Sequence, residues 1–165
     1  MPLLISNFER LLEAVLTACQ RHYGDRLISV AVYGSLGRGT PRADSDVDLL
    51  IVAEDLPEGR IARARDFQAV EAAVAPVLVE LRAEGLAPEL SPVFKTPHEV
   101  GQGSPLFLDM VEDVRILYDR DAFLASALRA LRARLNRLGA RRVWRGDAWF
   151  WDLKPDYRPG EVLEL

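Results

Sequence analysis

The stretch LISVAVYGSLGRGTPRADSDVDLLIVA, residues 27–53, decides the fold of this chain. Two apolar runs, 27–33 and 46–53, enclose a loop rich in glycine and polar residues, and this pattern predicts two buried strands. Asp46 and Asp48 stand two positions apart, so their side chains project to the same side of the second strand. Carboxylates in such an apolar setting are costly unless a cation or a cleft position compensates them. The pair therefore predicts a site for a divalent cation.

The first of these strands ends abruptly at Gly34-Ser35. A glycine at a strand end allows backbone amides to approach an anion closely, and the turn that follows can direct helical N–H groups at a phosphate. A phosphate site after one strand and a cation site on the next together predict a nucleoside triphosphate as the ligand.

The order and spacing of these residues resemble a known family. Gly34-Ser35 is followed, after ten residues, by Asp46-Val47-Asp48, and the intervening loop carries Arg38-Gly39 and ends in Ser45. This arrangement is similar to the polymerase-beta-type nucleotidyltransferase superfamily, and especially to its small, minimal nucleotidyltransferase branch. The resemblance covers about residues 27–53 closely and the remainder of the chain in outline.

The resemblance implies a role for each motif residue. Asp46 and Asp48 would hold two magnesium ions, which bridge the triphosphate and neutralise charge as pyrophosphate leaves. Ser35 would hold a phosphate through its hydroxyl and amide while Gly34 keeps the approach clear. Arg38 is a candidate phosphate clamp, and an ordinary surface arginine is the alternative. The nucleotide-binding residues implied in this way are Gly34, Ser35, Arg38 and Ser45.

A third carboxylate, which in the superfamily helps to activate the acceptor hydroxyl, is implied on a neighbouring strand. The strand-like run 87–95 offers Glu89 by position, so the candidate catalytic residues are Asp46, Asp48 and Glu89. Ser91 shares a face with Glu89 and is the alternative match to that position. A chain with serine there would bind nucleotide while catalysing poorly or not at all.

Helical and strand patterns alternate along the rest of the chain. Ser6 followed by Glu9 has the form of a capping box, which predicts the start of an opening helix. The region 60–84 has a helical pattern that Pro76 is expected to divide or kink. Leucines then recur four and three residues apart from Leu124 to Leu138, which favours a stripe packed on the domain's own sheet over a seam for a partner.

These elements predict the α/β (α+β) class: a small mixed β-sheet flanked by helices, which by resemblance is the nucleotidyltransferase fold. At 165 residues and 49% hydrophobic composition, one domain spanning 1–165 is expected. Its core would occupy about 1–120, and a C-terminal helix and aromatic tail would occupy 121–165. The tail contains three tryptophans, so we expect it to pack on the body or on a second subunit.

Composition bears on location and partners. Cys19 is the single cysteine and lies in an apolar helical pattern, so it is predicted to be a buried thiol in a reducing compartment. No signal segment and no membrane-spanning run is present, which predicts a cytoplasmic protein without membrane contact. The net charge of −4 disfavours a nucleic-acid-coating surface, yet residues 122–146 contain arginines and no acid. RNA binding there is an alternative to an ordinary solvated helix face.

The function expected is metal-dependent transfer of a nucleoside monophosphate, AMP from ATP, to a hydroxyl acceptor. The motif does not choose the acceptor. Small members of the superfamily often act beside a helical partner of the HEPN type, as antitoxins that adenylylate it, so a protein partner or a homodimer is an open alternative. A non-catalytic nucleotide-binding or partner-binding module that retains the fold is the rival interpretation.

Overall fold

The two strands on either side of the glycine turn form the centre of a sheet. A computed structural model describes residues 2–146 and 148–162. Strands β1 (Leu27–Val32) and β2 (Val47–Ala53) pair antiparallel. Every residue of β1 is buried, since helices cover both faces of the sheet, and this explains why the sequence of β1 is almost continuously apolar.

Two outer strands complete the sheet. Strand β3 (Leu90–Lys95) runs parallel to β2, and β4 (Arg115–Asp119) runs antiparallel to β1. The order β3-β2-β1-β4 makes the sheet mixed. The predicted small mixed sheet flanked by helices is therefore confirmed.

Helices divide between the two faces of the sheet. On one face, α1 (Pro2–Tyr23) and α3 (Arg60–Ala83) bury Val47, Leu49 and Ile51 of β2 in a first apolar cluster. On the other face, α5 (Leu106–Asp113) and α6 (Phe123–Arg137) bury Leu50 and Val52 in a second cluster. Among the described residues, no helix is both long and apolar enough to cross a membrane. The helices are α1 (Pro2–Tyr23), α2 (Gly34–Gly37), α3 (Arg60–Ala83), α4 (Pro97–Gly101), α5 (Leu106–Asp113) and α6 (Phe123–Arg137), with short 3-10 turns at Gly24–Arg26 and Arg120–Ala122.

Two helix boundaries differ from the sequence prediction. Helix α1 already begins at Pro2, so Ser6 lies inside it and does not cap it. Helix α3 is not divided, because it runs through Pro76 as one element. A proline inside a helix costs a hydrogen bond, and buried side chains on both sides of it, including Val74 and Leu81, anchor the helix to the core despite that loss.

The start of α6 is held by the last residue of β4. Both carboxylate oxygens of Asp119 accept hydrogen bonds, from the N–H groups of Leu124 and Ala125, each at 2.9 Å. Ser29 of β1 donates to the same carboxylate at 2.7 Å. These contacts satisfy N–H groups that a helix start leaves unpaired. The leucine stripe of α6 then packs on the sheet, as the sequence predicted, with Leu124, Leu128 and Leu135 buried.

The aromatic tail forms an element that was not predicted. Strands β5 (Arg141–Arg145) and β6 (Ala148–Asp152) pair antiparallel as a separate hairpin. Trp151 and Leu153 pack against the second apolar cluster, so the tail lies on the body as expected. Trp144 remains 54% exposed. The expected division into a core of about 1–120 and a C-terminal part remains a proposal.

Candidate active site

The turn after β1 brings a glycine against a carboxylate of β2. Gly34 has a φ of +66°, a conformation that residues with a side chain rarely adopt. A Cβ atom on Gly34 would lie 2.2 Å from Oδ2 of Asp48. The backbone N–H of Tyr33 donates to the carbonyl of Asp48 at 3.0 Å and fixes this approach. The space that a side chain would need at Gly34 is therefore occupied by the Asp48 carboxylate.

Asp46 and Asp48 stand at the start of β2. Asp48 is half-buried and Asp46, just before the strand, is exposed. Burial raises the pKa of Asp48, the neighbouring charge of Asp46 raises it further, and Arg38 lowers it. The structure thus brings two negative charges together at the rim of the sheet, where a cation would relieve both their repulsion and the cost of burial.

The other motif residues lie along the turn and its loop. Neither Ser35 nor Leu36 uses its N–H in a described backbone hydrogen bond, so both can donate to an anion. Arg38 is exposed and follows α2, with its charge within range of Asp48. The hydroxyl of Ser45 accepts from the N–H of Arg42 at 2.8 Å, which gives Ser45 a role in shaping the loop.

The donor set suits a magnesium ion that is shared with a substrate. In residues 2–146 and 148–162, no group of three or more His, Cys, Asp or Glu side chains is placed to hold a metal. Magnesium commonly takes only one or two protein carboxylates and completes its shell with substrate phosphates and water. Asp46 and Asp48, beside a turn whose N–H groups are available to donate, fit this mode because they supply hard oxygen ligands next to the expected phosphates.

Strand β3 passes beside the two aspartates. Ser91 is the direct partner of Asp48 in the parallel register, so the two side chains project from the same face. Glu89 lies two residues before Ser91 and immediately before β3 begins; its carbonyl accepts the N–H of Val47 at 2.8 Å, and the residue is exposed. The role of Glu89 as the third carboxylate remains a prediction.

Helix α5 and the hairpin bring further charged residues to the turn, and no local pattern in the sequence predicted them there. A Cβ on Gly37 would lie 2.2 Å from the carbonyl oxygen of Asp113, so α5 ends directly against α2. The Asp113 carboxylate binds Arg142 of β5 at 2.5 Å. Asp109 lies one helical turn earlier than Asp113. The only available signal was an aspartate within the apolar run Leu106–Val111.

A cavity of about 730 Å³ lies elsewhere, between α6 and the segment that joins α4 to α5. Its walls are mostly apolar, and they include Phe107, Leu128 and Leu131. None of the motif residues lines it. The concentration of titratable groups around Asp48 therefore identifies the candidate active site better than this cavity does.

Comparisons with known proteins agree on the family. The family model described as "Nucleotidyltransferase domain" matches residues 12–99. The Methanocaldococcus jannaschii protein named "Putative protein adenylyltransferase MJ1305" is 32% identical over 130 residues, which cover 78% of this chain and 83% of that protein.

Solved structures match this chain at low sequence identity. Spectinomycin adenyltransferase AAD(9) from Enterococcus faecialis, solved with ATP and spectinomycin, matches with a TM-score of 0.52 and 13% identity, over 79% of this chain and 66% of that one. A toxin-antitoxin structure with AMP-PNP matches with a TM-score of 0.44 and 17% identity, over 76% of this chain and 90% of that one.

Proposed function

This chain belongs to the nucleotidyltransferase family and is a nucleotidyltransferase, and from that premise we propose that it transfers AMP from ATP to a hydroxyl acceptor with the help of magnesium. The observation that carries the proposal is the close approach of Asp48 to Gly34, with Asp46 two residues before Asp48 at the start of β2. A cation site that lies directly beside an anion site suits a metal-bound triphosphate.

Each residue of the site has a defined task in this proposal. The N–H groups of Ser35 and Leu36, with the Ser35 hydroxyl, bind phosphate oxygens, and Gly34, which has no side chain, leaves the adjacent space to the Asp48 carboxylate. Arg38 binds a phosphate through its planar guanidinium. Asp46 and Asp48 would hold up to two magnesium ions. These ions would neutralise the charge on the departing pyrophosphate.

The proposed acceptor class is based on the name of the Methanocaldococcus jannaschii relative. Because the Methanocaldococcus jannaschii protein is named for protein adenylylation, a protein hydroxyl is the acceptor class that we propose. A separate protein partner, as in a toxin and antitoxin pair, and a homodimer are the two assemblies that would present such a hydroxyl. Action in the cytoplasm agrees with the use of ATP and with Cys19, whose burial raises its pKa to about 12 and keeps it a protonated thiol.

Labelled ATP tests this function directly. The protein is incubated with ATP labelled at the α-phosphate, magnesium and cell extract, and label transfer and pyrophosphate release are both measured. We expect transfer that requires magnesium and that falls at least about 100-fold in the Asp46→Ala/Asp48→Ala variant, since both carboxylates contact the reacting nucleotide through the metal. The variant Asp44→Ala, which removes an exposed aspartate of the same loop, should transfer normally.

A second candidate function is a non-catalytic nucleotide-binding module. The observation that favours it is the register of β3, which places Ser91, not a carboxylate, opposite Asp48. This module would bind ATP and magnesium in the wild type and lose binding in the double variant, yet neither protein would release pyrophosphate. Pyrophosphate release by the wild type excludes it.

A further inference from the structure

Small residues line both sides of the cavity between α6 and the segment that joins α4 to α5. Gly101 and Gly103 belong to one side, and Ala127 and Ala130 of α6 belong to the other. A Cβ atom added to either glycine would meet nothing within 4 Å beyond its own local backbone, so the space beside both glycines is open. The cavity, of about 730 Å³, has room for a ligand where these positions lack large side chains.

The apolar walls of this cavity are recessed. None of the large apolar residues that are exposed, such as Trp144 and Phe150, lines it. A partner's helix docks on apolar side chains that protrude to the surface, whereas walls of this kind suit the narrow chain of a small ligand. The larger apolar side chains that line the cavity are all buried or half-buried: Phe107, Leu108, Leu124, Leu128, Leu131 and Leu153.

Arg134 of α6 brings a positive charge to the cavity. Of the described residues that line it, Arg134 alone is charged. Arg132 pairs with Glu112, and Arg142 pairs with Asp113, but the Arg134 side chain makes no hydrogen bond or ion pair within residues 2–146 and 148–162. Its guanidinium offers a planar fork of N–H donors, which matches the two oxygens of a carboxylate.

The length of the α6 wall limits the length of the ligand. The lining residues of α6 run from Leu124 to Arg134, which at about 1.5 Å per residue corresponds to about 15 Å along the helix axis. An extended chain advances about 3.6 Å for every three bonds, so about 12 bonds span that distance. A linear chain of about this length reaches from the apolar end of the cavity to the guanidinium.

We propose that this cavity binds a free fatty acid of about twelve carbons, with its chain between the small residues and its carboxylate on Arg134. Removal of the chain from water drives binding, and the guanidinium selects a carboxylate over a neutral head group. Neither Gly34, Asp46 nor Asp48 lines the cavity, so this site is separate from the candidate active site. The proposal therefore does not depend on AMP transfer.

Equilibrium dialysis of the full chain against labelled dodecanoate, below the concentration at which micelles form, tests the proposal without any turnover. We expect saturable binding of one dodecanoate per chain. Dodecanol, which has the same chain without the charge, should bind at least about 5-fold more weakly. Equal affinity for the acid and the alcohol would overturn the proposal. Absence of saturable dodecanoate binding would also overturn it and leave the cavity to another occupant, such as a partner's helix.

Two arginines of α6 provide a matched pair for the head group. Arg134→Met should weaken dodecanoate binding at least about 5-fold and leave dodecanol binding unchanged. Arg129 is also exposed but does not line the cavity, so Arg129→Met should bind dodecanoate as the wild type does. An equal loss in both variants would mean that the general charge of α6 attracts the ligand, and the proposal would be wrong.

Two alanines of α6 provide a matched pair for the chain. Ala130 and Ala133 are both exposed, and only Ala130 lines the cavity. Ala130→Phe should weaken the binding of both dodecanoate and dodecanol at least about 10-fold, because the new ring occupies the space of the chain. Ala133→Phe should bind both as the wild type does. Unchanged binding in Ala130→Phe, with a circular dichroism spectrum like that of the wild type, would overturn the proposal.

Vesicles distinguish a free fatty acid from a membrane lipid as the source of the chain. Protein mixed with vesicles of phosphatidylcholine and phosphatidylglycerol, without free fatty acid, should remain in the supernatant after sedimentation. Sedimentation with the vesicles that is lost in Ala130→Phe would show that the cavity takes the acyl chain of a membrane lipid, and the proposal of a free fatty acid would be wrong.

Discussion

Gly34 satisfies two demands that can be separated by experiment. Its backbone needs a left-handed φ, and its missing side chain leaves space for Asp48. We expect Gly34→Ala to lose at least about 100-fold in AMP transfer, because the new methyl group displaces the Asp48 carboxylate, which we propose as a metal ligand. Its free energy of unfolding should fall by about 1–2 kcal/mol or more, which is the cost of a left-handed alanine plus the clash. Urea unfolding and the labelled-ATP assay measure the two effects.

Gly39 provides the matched control for Gly34. It also has a left-handed φ, +72°, but a Cβ there would have no atom within 4 Å. Gly39→Ala should therefore cost a similar backbone strain, about 1 kcal/mol, while most of the activity remains. Equal losses of activity in the two variants would show that backbone strain, and not the contact with Asp48, explains the need for glycine at position 34.

At the scale of elements, α4 depends on a carboxylate with two partners. Glu99 accepts from the N–H of Thr96 at 2.8 Å, and the Thr96 hydroxyl accepts in return from the N–H of Glu99, which together form a capping box. Arg63 of α3 binds both oxygens of Glu99, at 2.8 and 3.0 Å. The hydrogen bond from Arg63 is the main reason that the pKa of Glu99 falls from 4.5 to about 2.

This carboxylate makes stability depend on pH in a defined direction. Because the pKa of Glu99 is lower in the folded protein, its contribution is fully present above pH 4.5 and is lost as the pH falls through about 2. We expect Glu99→Gln to lower the free energy of unfolding by about 1–2 kcal/mol at pH 7 and by almost nothing near pH 2. Urea titrations across this range, with the exposed Glu58→Gln as control, measure the difference. A constant difference at all pH values would contradict the assignment.

Elements with a strong local pattern could be predicted from the sequence. Strands β1 and β2 are continuous apolar runs bounded by glycine and polar residues, and they form where that pattern places them. Capping signals were less reliable: the Ser6 and Glu9 pair lies inside α1, because the apolar residues before it already extend the helix. The hairpin of β5 and β6 was not predicted, because polar and apolar residues do not alternate around its tryptophans clearly enough to indicate two strands.

Within the site, too, residues with a local sequence pattern could be predicted and residues without one could not. Gly34, Asp46 and Asp48 lie within 15 residues of one another, so their spacing alone predicts their association. Asp113 and Arg142 reach the turn only because α5 and the hairpin pack there, and the sequence does not encode such long-range contacts in a local pattern. Residues brought in by tertiary packing are the part of this site that required the structure.

At the scale of the whole molecule, the hairpin is joined to the sheet domain through the active-site region. Its residues Trp151 and Leu153 pack on the second apolar cluster, and Arg142 pairs with Asp113 at the end of α5. The Arg142 guanidinium also lies over the rings of Trp144 and Trp149, at 5.3 and 5.4 Å. One arginine thus connects the aromatic hairpin to α5, the helix that touches the turn after β1.

Neighbouring arginines of β5 allow this connection to be tested. The side chains of Arg142 and Asp113 are 19% and 16% exposed, whereas Arg141, which pairs with Asp152 at 3.6 Å, is 66% exposed. We expect Arg142→Met to lower the free energy of unfolding by about 2–3 kcal/mol, because it leaves the Asp113 carboxylate largely buried without its partner. Arg141→Met should cost less than about 0.5 kcal/mol, as exposed pairs do.

Activity adds the decisive comparison between these two variants. If the hairpin supports the active site through Asp113, Arg142→Met should also lower kcat for AMP transfer at temperatures where it remains folded, while Arg141→Met keeps the wild-type rate. Tryptophan emission should shift to longer wavelength in Arg142→Met alone, since the hairpin would expose its rings as it separates from α5. Equal stability and equal rates in the two variants would mean that apolar packing of Trp151 and Leu153, without the ion pair, holds the hairpin in place.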